Sequence, residues 1–166
     1  MQIAATSVKE LRERTGAGVL DCRRALEQTE GDLEKAIILL QEQGLAKAAK
    51  KLDRTVGQGI IETYLHGSRI GVLVELNCET DFVARTDEFK ALAHEIALQV
   101  AAMGPSYVSE TEIPSGSYED PAEVALLRQP SIKEPSKTIQ DRITETIAKL
   151  GENIQVRRFS RFEVGR

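Results

Sequence analysis

Side chains that usually carry covalent or metal chemistry are scarce in this sequence. Its 166 residues include no tryptophan, two cysteines and two histidines, and only 4% are aromatic. A search for a nucleophile, a base and an orienting group therefore ends at Cys22, Cys78, His66 and His94, which form no catalytic pattern. Neither the Gly-x-Ser-x-Gly turn of hydrolases nor the Gly-x-x-x-x-Gly-Lys-Ser/Thr loop that cradles nucleotide phosphates occurs. The sequence does not read as an enzyme, and it implies no cofactor. His66 falls in a turn and His94 beside a helical stripe, with no second ligand at metal spacing. The cysteines stand far apart in apolar patterns rather than as Cys-x-x-Cys, so two buried free thiols are expected.

Long hydrophobic runs are missing as well. None approaches the roughly 20 residues that span a bilayer, and Met1 to Ala5 lacks the basic start and apolar block of a secretory signal. A cytoplasmic protein away from membranes is expected. Nor is there an excess of positive charge: 22 Lys and Arg against 26 Asp and Glu leave a net charge of -4, ill suited to gripping phosphate backbones. A protein partner is favoured over nucleic acid.

What is present, 41% hydrophobic and 29% charged residues, suits a globular chain with a real core. Ser7 and Glu10 have capping-box spacing ahead of Val8, Leu11 and Thr15, and Gly16 stops the first helix. A second helix is expected over 19–29, with Val19, Cys22, Ala25 and Leu26 as its apolar stripe. Leu20 points away from that stripe, which leaves an apolar side chain at the surface. A third helix opens at Asp32, buries Leu33, Ala36, Ile37 and Leu40, and is expected to end at Gly44. Residues 1–44 thus form a three-helix bundle, and 45–58 a basic helical linker loosened by Gly57 and Gly59.

From Ile60 the apolar period changes to two. A hairpin turning at His66-Gly67-Ser68-Arg69 returns through Ile70, Val72, Val74, Leu76 and Cys78 on one face. Thr80 and Asp81 suit a helix start, and Phe82 follows at the corner, either as a core anchor or as a partner-binding side chain. Phe89, Leu92, Ala93, Ile96, Val100 and Met103 mark a long amphipathic helix that Gly104-Pro105 breaks. All five prolines lie in the loop 104–137, with at most a short helix near 122–127. A last helix over 138–150 precedes a strand whose parity conflicts: Ile154, Val156, Phe162 and Val164 alternate together, but Phe159 takes the other face. Either both faces are covered or a bulge shifts the register. The fold class is α+β, with a core over 59–166.

Several stretches resemble the elongation factor Ts family. They are Val8-Lys-Glu-Leu-Arg-Glu-Arg-Thr-Gly-Ala-Gly18, Asp21-Cys-Arg-Arg-Ala-Leu26, Gly44 to Lys51, Asn77-Cys-Glu-Thr-Asp-Phe-Val-Ala-Arg85, and Leu150-Gly-Glu-Asn-Ile-Gln-Val-Arg-Arg-Phe159. The resemblance implies a ubiquitin-associated-type bundle, then an antiparallel sheet packed on helices. It also implies a guanine-nucleotide exchange factor whose partner is the GTPase elongation factor Tu. In such a protein Thr80, Asp81, Phe82 and Val83 would meet the nucleotide-binding domain, as would Arg12, Val19, Leu20 and Arg23. Val19 and Leu20 stand where many members have two methionines, and Ser160 where some have a cysteine that links two subunits. The stretch between Ile113 and Gln129 is shorter than in familiar members, and short members are similar to those acting as homodimers. The alternative is an RNA-binding translation protein using the basic segments 47–54 and 157–161. Against it, no aromatic is interleaved for base stacking, and a charged edge strand accounts for Arg157, Arg158 and Arg161.

Overall fold

The computed structural model describes residues 3–166 and divides the chain into two compact units, one up to Lys50 and one over Lys51–Arg166. The first unit holds α1 (Ala5–Thr15), α2 (Val19–Gln28) and α3 (Leu33–Ala49) around Leu11, Cys22, Ala25, Leu26 and Ala36, all essentially buried. Gly16 closes α1 in a left-handed conformation (φ 69°). The Asp32 side chain caps α3 by accepting from the Lys35 amide.

Three expectations for this region need correction. Ser7 is no cap, because α1 begins two residues before it, at Ala5, and Ala4 takes the N-cap position without a side-chain bond. Val19 does not share the buried stripe but is 52% exposed, at the first position of α2. The third helix runs through Gly44 to Ala49, so the bundle does not end at 44 and the expected linker is helical only to Ala49. A single mid-helix glycine costs about 1 kcal/mol. Ala46, Ala48 and Ala49 beyond it are strong helix formers, and Ala48 is buried.

The second unit is built on an antiparallel sheet of order β1-β2-β3, from β1 (Gln58–His66), β2 (Ile70–Cys78) and β3 (Ile154–Glu163). Between β2 and β3 come α4 (Asp81–Ala84), α5 (Asp87–Met103), α6 (Pro121–Val124) and α7 (Ile139–Leu150). One sheet face, with Val72, Val74 and Leu76 buried, carries α5, whose Phe89, Leu92, Ala93, Ile96 and Val100 are buried in turn. α7 packs on α5 and β3 through Ile139, Ile143 and Ile147. Met103 is 49% exposed instead of completing the α5 stripe, because Gly104 ends the helix directly after it.

The conflicting parity of β3 resolves as a bulge. Glu75 faces Arg158 while Leu76 faces Val156, so Arg157 is the extra residue. Ile154 and Val156 point to the helices before the bulge. Phe159 and Arg161, opposite Val74 and Val72, do so after it. Phe162, opposite Gly71, is thereby turned to the other face and is 74% exposed.

The Pro-rich stretch is fastened by buried polar side chains. Gln99 Nε2 donates to Gln129 Oε1 (3.2 Å) and to the Pro130 carbonyl (3.1 Å), while Gln99 Oε1 accepts from the Ile132 amide (2.9 Å). Glu95, 5% exposed, accepts from Ser131 Oγ (3.2 Å), Arg142 Nε (2.9 Å) and Arg142 Nη2 (3.2 Å). A buried carboxylate is tolerable only with such charge-assisted partners.

Candidate functional site: a clamped tip and a helical groove

The corner between β2 and α5 is a separate one-turn helix, α4, displayed between two capped starts. Thr80 is its N-cap, extended at φ -127°, and its hydroxyl accepts from the Val83 amide (3.4 Å). Thr86 caps α5 by accepting from the Phe89 amide (3.2 Å) and donates to the Val83 carbonyl (2.7 Å). Only Ala84 of α4 is buried. Phe82 is 77% exposed, which removes the core-anchor reading of that ring. Burying such a ring gains about 1.5–3 kcal/mol, so this exposure leaves apolar surface available to a partner. Beside it, Asp81 Oδ2 pairs with Arg85 Nη2 at 2.8 Å, both largely in solvent.

The tip is tied from beneath. The Thr80 amide and hydroxyl both donate to Glu152 Oε1, at 3.1 and 3.0 Å. The Asn153 amide donates to Glu79 Oε1 (2.8 Å), and the Asn153 side chain donates to the Leu52 and Arg54 carbonyls (3.1 and 2.9 Å). Cys78 lies buried under the turn, its thiol donating to the Thr80 carbonyl (3.1 Å). Burial first, and then the Glu152 carboxylate, push this thiol above its ordinary value, so it stays protonated. Cys22 and Cys78 are both free and buried. Glu79 and Glu152 were not legible as tip residues, since nothing local to either sequence position points to the other.

In the first unit, Arg12, Val19 and Arg23 line one groove of about 740 Å³ together with Ile3, Ala5, Val8 and Lys9. Leu20, next to it on α2, is 69% exposed. The four residues thus gather on the α1 and α2 surface as an apolar floor with a basic rim, while Thr80, Asp81, Phe82 and Val83 gather on the tip of the other unit. Arg23 also pairs with Glu27 (3.0 Å).

The basic segments are largely occupied within the chain. Lys47 pairs with Asp21 (3.6 Å), Arg54 with Glu79 (3.5 Å), and Arg158 and Arg157 with Glu75 (2.7 and 3.9 Å). Arg161 donates to the Ala101 carbonyl and pairs with Glu163. Among the described residues no helix is long and apolar enough to cross a membrane, and no group of three or more His, Cys, Asp or Glu is arranged to hold a metal.

A helical bundle with an apolar groove, followed by an α+β unit with an exposed aromatic at a clamped turn, defines the class as a two-unit α+β protein. Comparison with known proteins gives the particular family. The family model described as elongation factor TS matches residues 1–128. Similar proteins named elongation factor Ts include those of Heliobacterium modesticaldum (48% identical over 98% of this chain and 90% of that protein), Carboxydothermus hydrogenoformans (50%, 98% and 89%) and Coprothermobacter proteolyticus (49%, 99% and 100%). The chain belongs to the elongation factor Ts family, and its role is in the elongation phase of protein biosynthesis. The first of these alignments spans 194 positions against 166 residues, so that relative carries at least 28 positions with no counterpart here.

Proposed function

We propose that this chain is a guanine-nucleotide exchange factor that binds elongation factor Tu carrying GDP and speeds GDP release. The observation that carries this reading is Phe82, 77% exposed on a turn whose backbone is fixed on both sides. Phe82 acts as an apolar wedge between helices of the GTPase nucleotide-binding domain. Asp81 disturbs polar contacts around magnesium and phosphate. Its present bond to Arg85 is solvent-exposed and such pairs are worth little, so it exchanges partners cheaply. Thr80 and Val83 shape the flanks of the wedge. Arg12, Val19, Leu20 and Arg23 hold the same domain, the groove accepting an apolar helix face flanked by carboxylates.

No covalent bond is made or broken in this scheme. Factor and nucleotide weaken each other's binding by the same factor, so contacts made only in the nucleotide-free complex drive release. The chain works in the cytoplasm, without membrane or direct nucleic-acid contact. Its partner besides the GTPase is a second copy. The sheet face opposite α5 exposes Ile61, Leu65, Leu73 and Phe162, an unpartnered apolar surface, and a second chain supplies area that the shortened stretch at 113–129 no longer provides. Sedimentation should give a dimer that Leu73→Asp dissociates; a monomer at all concentrations removes this part of the proposal.

The test of function is the release of fluorescent GDP from elongation factor Tu. Acceleration by substoichiometric amounts of the chain is expected. Binding without acceleration would overturn exchange and leave a docking role alone. The RNA-binding alternative would instead give salt-sensitive RNA binding by the isolated chain.

A further inference from the structure

We infer that Glu152 is the positioning residue of the wedge, setting the direction of Phe82 without touching the partner. The inference rests on the exchange reading above. α4 is four residues long, far below the length at which a helix sustains itself, since nucleating one turn is unfavourable and only later residues repay it. Its own cap is weak: the Val83 amide reaches Thr80 Oγ1 only at 3.4 Å. Something else must hold the turn.

Thr86 holds the far side through the Val83 carbonyl, and the support on the Thr80 side comes from the junction of α7 and β3. Gly151 ends α7 in a left-handed conformation (φ 80°) and turns the chain sharply, and Asn153, fully buried, begins the return. Between them Glu152 reaches β2's end and takes both Thr80 donors on one oxygen, Oε1. The bonds are reciprocal across the junction: Glu152 accepts from the Thr80 backbone, and Glu79 accepts from the Asn153 backbone. A charged acceptor makes such bonds shorter and stronger than a neutral one. With the Thr80 hydroxyl proton directed to Glu152, the hydroxyl lone pairs remain turned toward the Val83 amide, so the same carboxylate also orients the cap. Released from Glu152, Thr80 would keep its place in sequence but lose its fixed backbone direction, and Phe82 two residues on would sample many directions. The Asn153 side chain extends the clasp to the Leu52 and Arg54 carbonyls, so the tip is fastened to the segment entering β1 as well.

The test is GDP release from elongation factor Tu with the full chain as wild type, Phe82→Ala, Glu152→Met, Glu152→Gln and the double variant Phe82→Ala/Glu152→Met. Wild type and Phe82→Ala test the exchange reading itself; if wild type does not accelerate release, that reading falls and this one with it. Methionine keeps the side-chain length without a carboxylate acceptor and is expected to lower kcat/KM by about 10- to 100-fold, the scale of a lost hydrogen bond to a charged group. Glutamine keeps an acceptor oxygen and should recover to within about threefold of wild type. In the Phe82→Ala background the methionine change should cost less than about twofold, because a residue acting through Phe82 has nothing left to position. An equal loss in both backgrounds, wild-type activity in Glu152→Met, or loss of cooperative melting in Glu152→Met with a folded Glu152→Gln would each assign Glu152 another role and overturn the inference.

Discussion

The tip and the amino-terminal groove both present apolar side chains to solvent, but they are built in opposite ways. The groove is a by-product of two ordinary amphipathic helices. α1 and α2 begin without a side-chain cap bond, at Ala4 and Gly18, and are held by the small core under Leu11, Cys22, Ala25 and Leu26. Its apolar residues lie at the margin of that core: Ile3 and Val8 are half-buried against it, and Val19 stands exposed at the first position of α2. The tip is four residues of helix that could not stand alone, held by side chains from residues distant in the chain. A groove needs shape and can adapt when a partner arrives. A wedge needs a direction, and direction requires polar bonds from a second element. On the exchange reading proposed above, less ordering is then left for the moment of binding, so more of the contact energy would appear as affinity.

Replacing Phe82 by alanine sharpens this contrast most strongly. Losing a well-packed aromatic anchor costs about 2–4 kcal/mol at an interface, or roughly 30- to 1,000-fold in affinity. Because the ring is 77% exposed, the thermal midpoint of the free chain should hardly move, surface changes being usually within about 0.5 kcal/mol. Intact exchange activity in this variant would remove the wedge, and a large fall in melting temperature would show the ring to be a packing residue after all.

Leu20→Ala, read in the same assays, should act in the same sense but more weakly. Leu20 is 69% exposed beside an open groove, and truncating a leucine that lies on an adaptable surface is expected to cost about 1 kcal/mol, roughly fivefold in affinity. Stability should again be unchanged. A loss as large as that of Phe82→Ala would break the distinction between an adaptable groove and a fixed wedge.

The same contrast explains what could be read from sequence. Periodicity found every helix of the bundle, the hairpin, α5 and α7, since those depend on stripes and caps a few residues apart. Thr80 and Phe82 were legible as a cap and a ring at a corner, yet spacing alone left Phe82 open between core and partner; its exposure removes the core reading. Glu152 and Glu79 were invisible because their bonds join positions remote in sequence. The bulge at Arg157 was legible only as a conflict of parity, because a single strand does not state which residue its neighbour skips. The misplaced end of α3 has a different cause. Gly44 is a strong punctuator on average, but here the buried Ala48 and the Lys47–Asp21 pair reward another turn of helix.

The smallest effect separates the two regions by their caps. α4 is capped by a hydroxyl, whereas α3 in the bundle is capped by the Asp32 carboxylate, which accepts from the Lys35 amide at 3.0 Å. That amide first, and then the Lys35 ammonium at 3.2 Å, hold the Asp32 carboxyl below its ordinary value. A carboxyl depressed by folding contributes stability that is present above its unfolded value, about pH 4, and is lost as pH falls through the lower folded value. The start of α3 should therefore loosen in acid, seen as falling hydrogen-exchange protection of amides in its first turn once intrinsic rates are corrected for. Asp32→Asn keeps a good cap without the titration, so at neutral pH it should change protection only slightly, and it should flatten the acid response. If the asparagine variant loosened in acid as steeply as wild type, the acid sensitivity of the bundle would belong to another group, and the carboxylate cap would not distinguish it from the tip.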